Sequence, residues 1–221
     1  MDICFVSRGS VAEFYEHAVE KAEVILFGFQ AIGEVSYECE LRGESSYFEE
    51  IARLSKQTSS VVICGCVTNA KGHKRKSAVV AEQGRILGVS DMLNVIDGEV
   101  GSGANLRIYD TKIGKIGVIV AQDLYFSDAL ASLALCGADY ILCPYEEMEG
   151  IESVLCRASS FYYGIPIAVC GIGYSIATSP SGELSFSSPS SPIVTCMENP
   201  KEYHLVETRR RGFYKAPKKE Y

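Results

Sequence analysis

Residues 114–144 run GKIGVIVAQDLYFSDALASLALCGADYILCP, and they read as strand, tight turn, helix, strand. Ile116 to Val120 is apolar throughout, as a strand covered on both faces would be. Phe126, Ala129, Leu130, Leu133 and Ala134 then recur at the spacing of one helix face, and Tyr140 to Cys143 forms a second short apolar run. A helix set between two buried strands is the repeating unit of an α/β protein.

The same alternation extends outward in both directions. Ile3 to Val6 reads as a strand, followed by Val11, Phe14, Tyr15, Ala18 and Val19 on one helix face. Val24 to Phe27 is another strand. Phe48, Ile51, Ala52 and Ser55 mark a helix that leads into the buried strand Val61 to Gly65. Ser77 to Ala81 and Arg85 to Leu87 bracket Glu82-Gln83-Gly84, a hairpin signal. Ile151, Val154, Leu155, Ala158, Phe161 and Tyr162 repeat the helical pattern before a strand over Ile165 to Gly171. Ser185 to Pro192 (SFSSPSSP) reads as an exposed loop. No linker or repeat divides the chain, so the expectation is one domain over residues 1–221, with 208–221 as a basic C-terminal tail.

The 221 residues are 47% hydrophobic and 22% charged, enough for a substantial core, and carry a net charge of -7. That balance disfavours a nucleic-acid partner, which needs a concentrated basic surface. The basic cluster Lys71 to Lys76 (KGHKRK) lies between apolar runs and reads as a solvated hairpin tip, and Arg209 to Arg211 form a second cluster. Most of the nine cysteines sit inside apolar runs, where they act as small buried hydrophobes. Cys64-x-Cys66 has no second ligand pair, so no zinc or other metal is expected, and no cofactor. His17, His73 and His204 form no triad-like pattern. With no leader and no apolar run of membrane-spanning length, the expectation is a cytoplasmic protein with reduced thiols and no membrane partner.

The 114–144 segment resembles the nucleophile-bearing stretch of the nitrilase (carbon–nitrogen hydrolase) superfamily, G-K-(I/L)-G-V-x-I-C-x-D-x-x-F-P-E. Ala22 to Phe27 is similar to the A-D-L-V-V-F strand preceding that family's P-E. Lys76-Ser77-Ala78-Val79-Val80 with Gly84-Arg85-Ile86-Leu87-Gly88 resembles its N-S-x-x-V…G-x-I-L-G hairpin. Cys156-Arg157-Ala158 with Ile165 to Val169 is similar to A-R-A-I-E-N…Y-V-V, and Gly173-Tyr174-Ser175…Ser179-Pro180-Ser181-Gly182-Glu183 resembles G-x-S…D-P-x-G-E. The resemblance implies an α-β-β-α sandwich, commonly paired with a second copy through its outer helices, and hence a homodimer.

In that family a cysteine attacks the substrate, a glutamate moves the proton and a lysine stabilises the tetrahedral intermediate. By the resemblance the glutamate falls on Phe29, the lysine on Met92 and the cysteine on Ala121, so none of the three is ionisable. Apolar replacement avoids the cost, several kcal/mol, of a lone charge in a buried site. Gln30, Glu99, Gln122, Asp123 and Glu146 remain as candidate binding residues, with Asp123 expected mainly to hold its turn. The expectation is a family member that has lost catalysis and binds a small molecule or a partner. Its loops from Val6 to Ala22 and after Asn94 are short, which would leave the pocket shallow. The rival is an active amidase-type hydrolase with a displaced nucleophile, Cys143, and a base at Glu146 or Glu147. Pro144 and the apolar run around Cys143 favour a buried structural thiol.

Overall fold

The computed structural model describes residues 1–15, 21–96, 98 and 100–200. Its first half contains β1 (Asp2–Val6), α1 (Val11–Phe14), β2 (Val24–Phe27), β3 (Glu34–Ser36), α2 (Tyr37–Arg42), α3 (Tyr47–Thr58), β4 (Val61–Ala70), β5 (His73–Glu82) and β6 (Arg85–Asp91). The second half contains β7 (Arg107–Thr111), β8 (Gly114–Val118), α4 (Ser127–Leu135), β9 (Tyr140–Pro144), α5 (Ile151–Tyr163), β10 (Ile167–Cys170), β11 (Ser175–Thr178), β12 (Leu184–Ser188) and β13 (Ile193–Cys196).

One sheet has the order β13-β1-β2-β4-β5-β6, with β3 added beside β4; the other has the order β12-β11-β10-β9-β8-β7. Each is parallel at its centre, β1-β2-β4 in one and β8-β9-β10 in the other. Because side chains alternate along a strand, each central strand needs apolar residues on both faces, and it has them. Ile3, Phe5, Leu26, Ile63, Ala78 and Val80 meet Ile116, Val118, Leu142, Ala168 and Ala177 in the layer between the sheets. The opposite face of the first sheet, with Cys4, Phe27, Val62 and Cys64, packs on Ile51 and Leu54 of α3. Ile141, Cys143, Ile167 and Val169 of the second sheet pack on Leu130 and Leu133 of α4 and Cys156 of α5. The result is the expected α-β-β-α sandwich.

The hairpin at Glu82-Gln83-Gly84 closes through positive φ at Gln83 (52°) and Gly84 (81°), a conformation that glycine adopts without steric cost. Three local expectations are corrected. Of KGHKRK, Lys71 and Gly72 form the turn, whereas Lys74 and Lys76 lie within β5 and Lys76 is partly buried. The serine-rich stretch is not all loop: Leu184–Ser188 forms β12, because Phe186 stacks on Phe5 with ring centroids 5.3 Å apart. On α5 the apolar stripe faces outward, leaving Ile151, Val154, Phe161 and Tyr162 exposed while Glu152, Cys156, Ser159 and Ser160 are buried. The elements β3 and α2 were not anticipated. Ala18 and Val19 of the first predicted helix, His17, Glu99, His204, Arg209 to Arg211 and the tail 208–221 lie outside the described residues. Among the described residues no helix is long and apolar enough to cross a membrane.

Candidate functional site

Sheets of this kind gather their chemistry at the carboxyl ends of parallel strands. Beyond β8 the chain enters a short 3-10 helix, Ala121–Tyr125, and Ala121 sits in the left-handed region at φ 46°. A non-glycine residue held there costs about 1–2 kcal/mol, so surrounding structure must impose the turn. Asp123 supplies much of that. Its buried carboxylate accepts the N–H of Leu93 (3.0 and 3.1 Å), the N–H of Asn94 (2.8 Å) and the Asn94 side-chain amide (2.9 Å). Burial raises its carboxyl above the ordinary aspartate range, against the lowering effect of these bonds.

Those bonds tie the Ala121 turn to the segment just after Met92. The Met92 backbone is itself fixed, its N–H donating to Lys76 O (2.8 Å) and its carbonyl accepting from Gly103 N–H (2.7 Å). Phe29, two residues beyond β2, donates its N–H to Tyr145 O (3.4 Å). Its ring crosses Gly65, where a Cβ would lie 2.8 Å from Phe29 Cδ2 and 2.9 Å from Pro144 Cβ. Phe29, Met92 and Ala121 are 7%, 2% and 0% exposed and belong to the same apolar cluster.

Polar groups border each of these three positions. Lys76, whose carbonyl holds Met92, donates from Nζ to Glu146 Oε2 (2.6 Å) and to Gln122 Oε1 (3.3 Å). Gln122, which follows Ala121, donates from Nε2 to Glu146 Oε2 (3.3 Å). Glu146 follows Tyr145, the backbone partner of Phe29. The Lys76 and Glu146 side chains are 18% and 35% exposed. The cluster therefore spans both sheets and remains in reach of solvent.

No family model matches the chain. A probable nitrilase of Schizosaccharomyces pombe is 22% identical over 196 residues, 81% of this chain and 70% of that protein. Nit3 of Saccharomyces cerevisiae, a member of branch 10 of the nitrilase superfamily, superposes with a TM-score of 0.76 at 14% identity, covering 100% of this chain and 97% of that one. The chain has the fold of the nitrilase superfamily. A carbon–nitrogen hydrolase from Helicobacter pylori superposes at TM-score 0.73 and 18% identity, over 96% and 92% of the two chains. An alanine-for-cysteine mutant of a Nesterenkonia amidase superposes at 0.75 and 15%, over 97% and 95%.

Within this nitrilase fold the remaining candidates separate. Gln122 and Glu146 join the cluster, and Lys76 is an addition. Its signal was the period of two that places Lys76, Ala78 and Val80 on one face of β5. Asp123 is committed to the backbone of Leu93 and Asn94. Gln30 turns away and donates from Nε2 to Val6 O (2.9 Å). Cys143 is fully buried in the cluster beneath α4 and α5, its Sγ 3.6 Å from Pro144 O and 3.9 Å from Ala121 O. Burial pushes its thiol well above the ordinary cysteine range, which suppresses the thiolate that a nucleophile needs. Among the described residues no group of three or more His, Cys, Asp and Glu is placed to hold a metal ion.

Proposed function

We propose that this nitrilase-fold protein does not hydrolyse carbon–nitrogen bonds and instead binds a small amphoteric molecule, carrying both an ammonium and a carboxylate, at Lys76, Gln122 and Glu146. One observation carries this reading: each position expected for catalysis is apolar and borders one member of a linked polar cluster. Acyl transfer requires a nucleophile, a base and a stabiliser of the oxyanion, and Ala121, Phe29 and Met92 supply none. The cluster holds one cation, one anion and one amide. A simple anion would pair Lys76 but strand Glu146, and a simple cation would do the reverse. A ligand of both charges satisfies each, while Gln122 can donate and accept.

Two further features support the setting. The outward apolar stripe of α5 favours a second copy of the chain as partner. Nine unpaired cysteines favour a reducing, cytoplasmic compartment.

The test uses purified full-length protein. Aliphatic amides and nitriles should be turned over no faster than in buffer. Free α-amino acids should bind in calorimetry, whereas N-acetylated and C-amidated forms of the same compounds should not. Lys76→Met and Glu146→Gln should each abolish that binding. Hydrolysis that disappears in Cys143→Ala would replace the proposal with an enzyme using a displaced nucleophile.

A further inference from the structure

Beyond the stack of Phe5 on Phe186 the interior between the sheets changes from apolar to polar. The rings are nearly parallel, at 4°. By the two-residue period of strands, Ser7 is the next inward position after Phe5 and Ser188 the next after Phe186. Ser188 stands in register opposite Ser175 of β11. Ser7 and Ser175 are 0% exposed, and neither hydroxyl has a hydrogen-bond partner among the described residues.

A third group closes the same end. Gln30 spends its amide N–H on Val6 O, and its buried Oε1 is left without a partner among the described residues. That oxygen occupies the crevice where β2 meets the end of β10: a Cβ on Gly28 would lie 2.5 Å from it, 3.1 Å from Cys170 O and 3.2 Å from Gly171 O. The sheets are pinned at this end, since Gly173 N–H donates to Ser7 O (2.7 Å), and within the second sheet Ser175 pairs with Cys170 across β10 and β11.

Buried polar atoms in folded proteins are almost always paired, by protein or by ordered water. We propose that Ser7, Gln30 and Ser175 form a built internal hydration site, holding about one or two water molecules. The chemistry selects water over an ion. All three groups are neutral, so a charge placed among them would gain no counter-charge. The inventory also closes: two hydroxyls each donate one proton and Gln30 Oε1 only accepts. A water can donate to Gln30 Oε1 and accept from both serines. The site backs Gly28-Phe29-Gln30 and so helps fix the backbone that places Phe29.

A crystal structure of the wild-type protein, at a resolution that orders solvent, should show water within hydrogen-bond distance of Ser7 Oγ, Ser175 Oγ and Gln30 Oε1. Oxygen-17 magnetic relaxation dispersion should detect long-lived internal water that the Ser7→Ala/Ser175→Ala variant lacks. Direct hydrogen bonds that satisfy all three groups without solvent would overturn the proposal. So would a density feature too large for water, or an unchanged relaxation signal in the folded variant.

Discussion

Asp123 Oδ1 accepts the Asn94 N–H at 2.8 Å, binding the turn that begins at Ala121 to the segment that follows Met92. Asp123→Asn keeps the volume but sets a donor amide against backbone N–H groups. A loss of about 2–3 kcal/mol is expected in urea unfolding. Burial is the largest influence on this carboxyl and raises its pKa above the ordinary 3.8. The native state thus favours the protonated form, and that stabilisation is complete below the ordinary value and lost as pH rises through the folded one. The stability gap between wild type and Asp123→Asn should therefore shrink from about pH 3 to about pH 6. A gap that widens over this range would contradict the burial effect.

Ala121 tests whether the turn or its side chain limits chemistry. At φ 46°, Ala121→Gly relieves roughly 1 kcal/mol of backbone strain and loses a similar amount to unfolded-chain entropy. It should be neutral within about 0.5 kcal/mol, whereas Ala168→Gly, buried inside β10, has no strain to relieve and should cost about 1 kcal/mol. Ala121→Cys restores a thiol at the turn beside Phe29 and Met92. Amide hydrolysis by that variant should stay at background, because Phe29 and Met92 supply neither base nor oxyanion stabiliser and Glu146 is held in its ion pair with Lys76.

What was legible in the sequence was local. Val24–Phe27 and the Gln83-Gly84 turn follow from apolar runs and turn chemistry within a few residues. The four-layer order came only from the resemblance of its motifs to the nitrilase superfamily, since periodicity does not separate one sheet from two. What was hidden depends on partners far away in sequence. Lys76 looked like part of a solvated tip because Gln122 and Glu146 lie 46 and 70 residues further on. Leu184–Ser188 looked like loop because a single inward ring, Phe186, anchors it to Phe5. On α5 the helical period was plain, but the side it faces was not. Buried Glu152 is satisfied by Tyr125, Tyr145 and two backbone N–H groups, which lets an outwardly apolar helix turn its polar face inward.

Lys76 and Glu146 join the two sheets through a partly exposed ion pair, at 2.6 Å. Lys76→Met leaves Glu146 with Gln122 alone, and Glu146→Gln leaves Lys76 without a counter-ion. A double-mutant cycle in thermal or urea unfolding should give a coupling of about 1 kcal/mol at low salt. Raising the ionic strength to about 1 M should reduce it, since the pair is open to solvent screening. A coupling near zero would mean that the pair does not brace the sheets.

The outward stripe of α5 gives the last prediction. Ile151, Val154, Phe161 and Tyr162 are 48%, 55%, 47% and 52% exposed, an apolar surface of the kind that marks an interface. A two-fold pairing of α5 with α5 brings the same residues together, so a charge placed there meets its own copy. Sedimentation equilibrium should find wild type as a dimer at micromolar concentration and Val154→Glu/Phe161→Glu as a monomer. The circular dichroism spectrum should not change, because α5 is held to the second sheet by Cys156, Ser159 and Ser160, which the substitutions leave alone. Loss of the dimer with the fold intact then isolates the stripe as the contact. A wild-type monomer would rule out pairing through this helix.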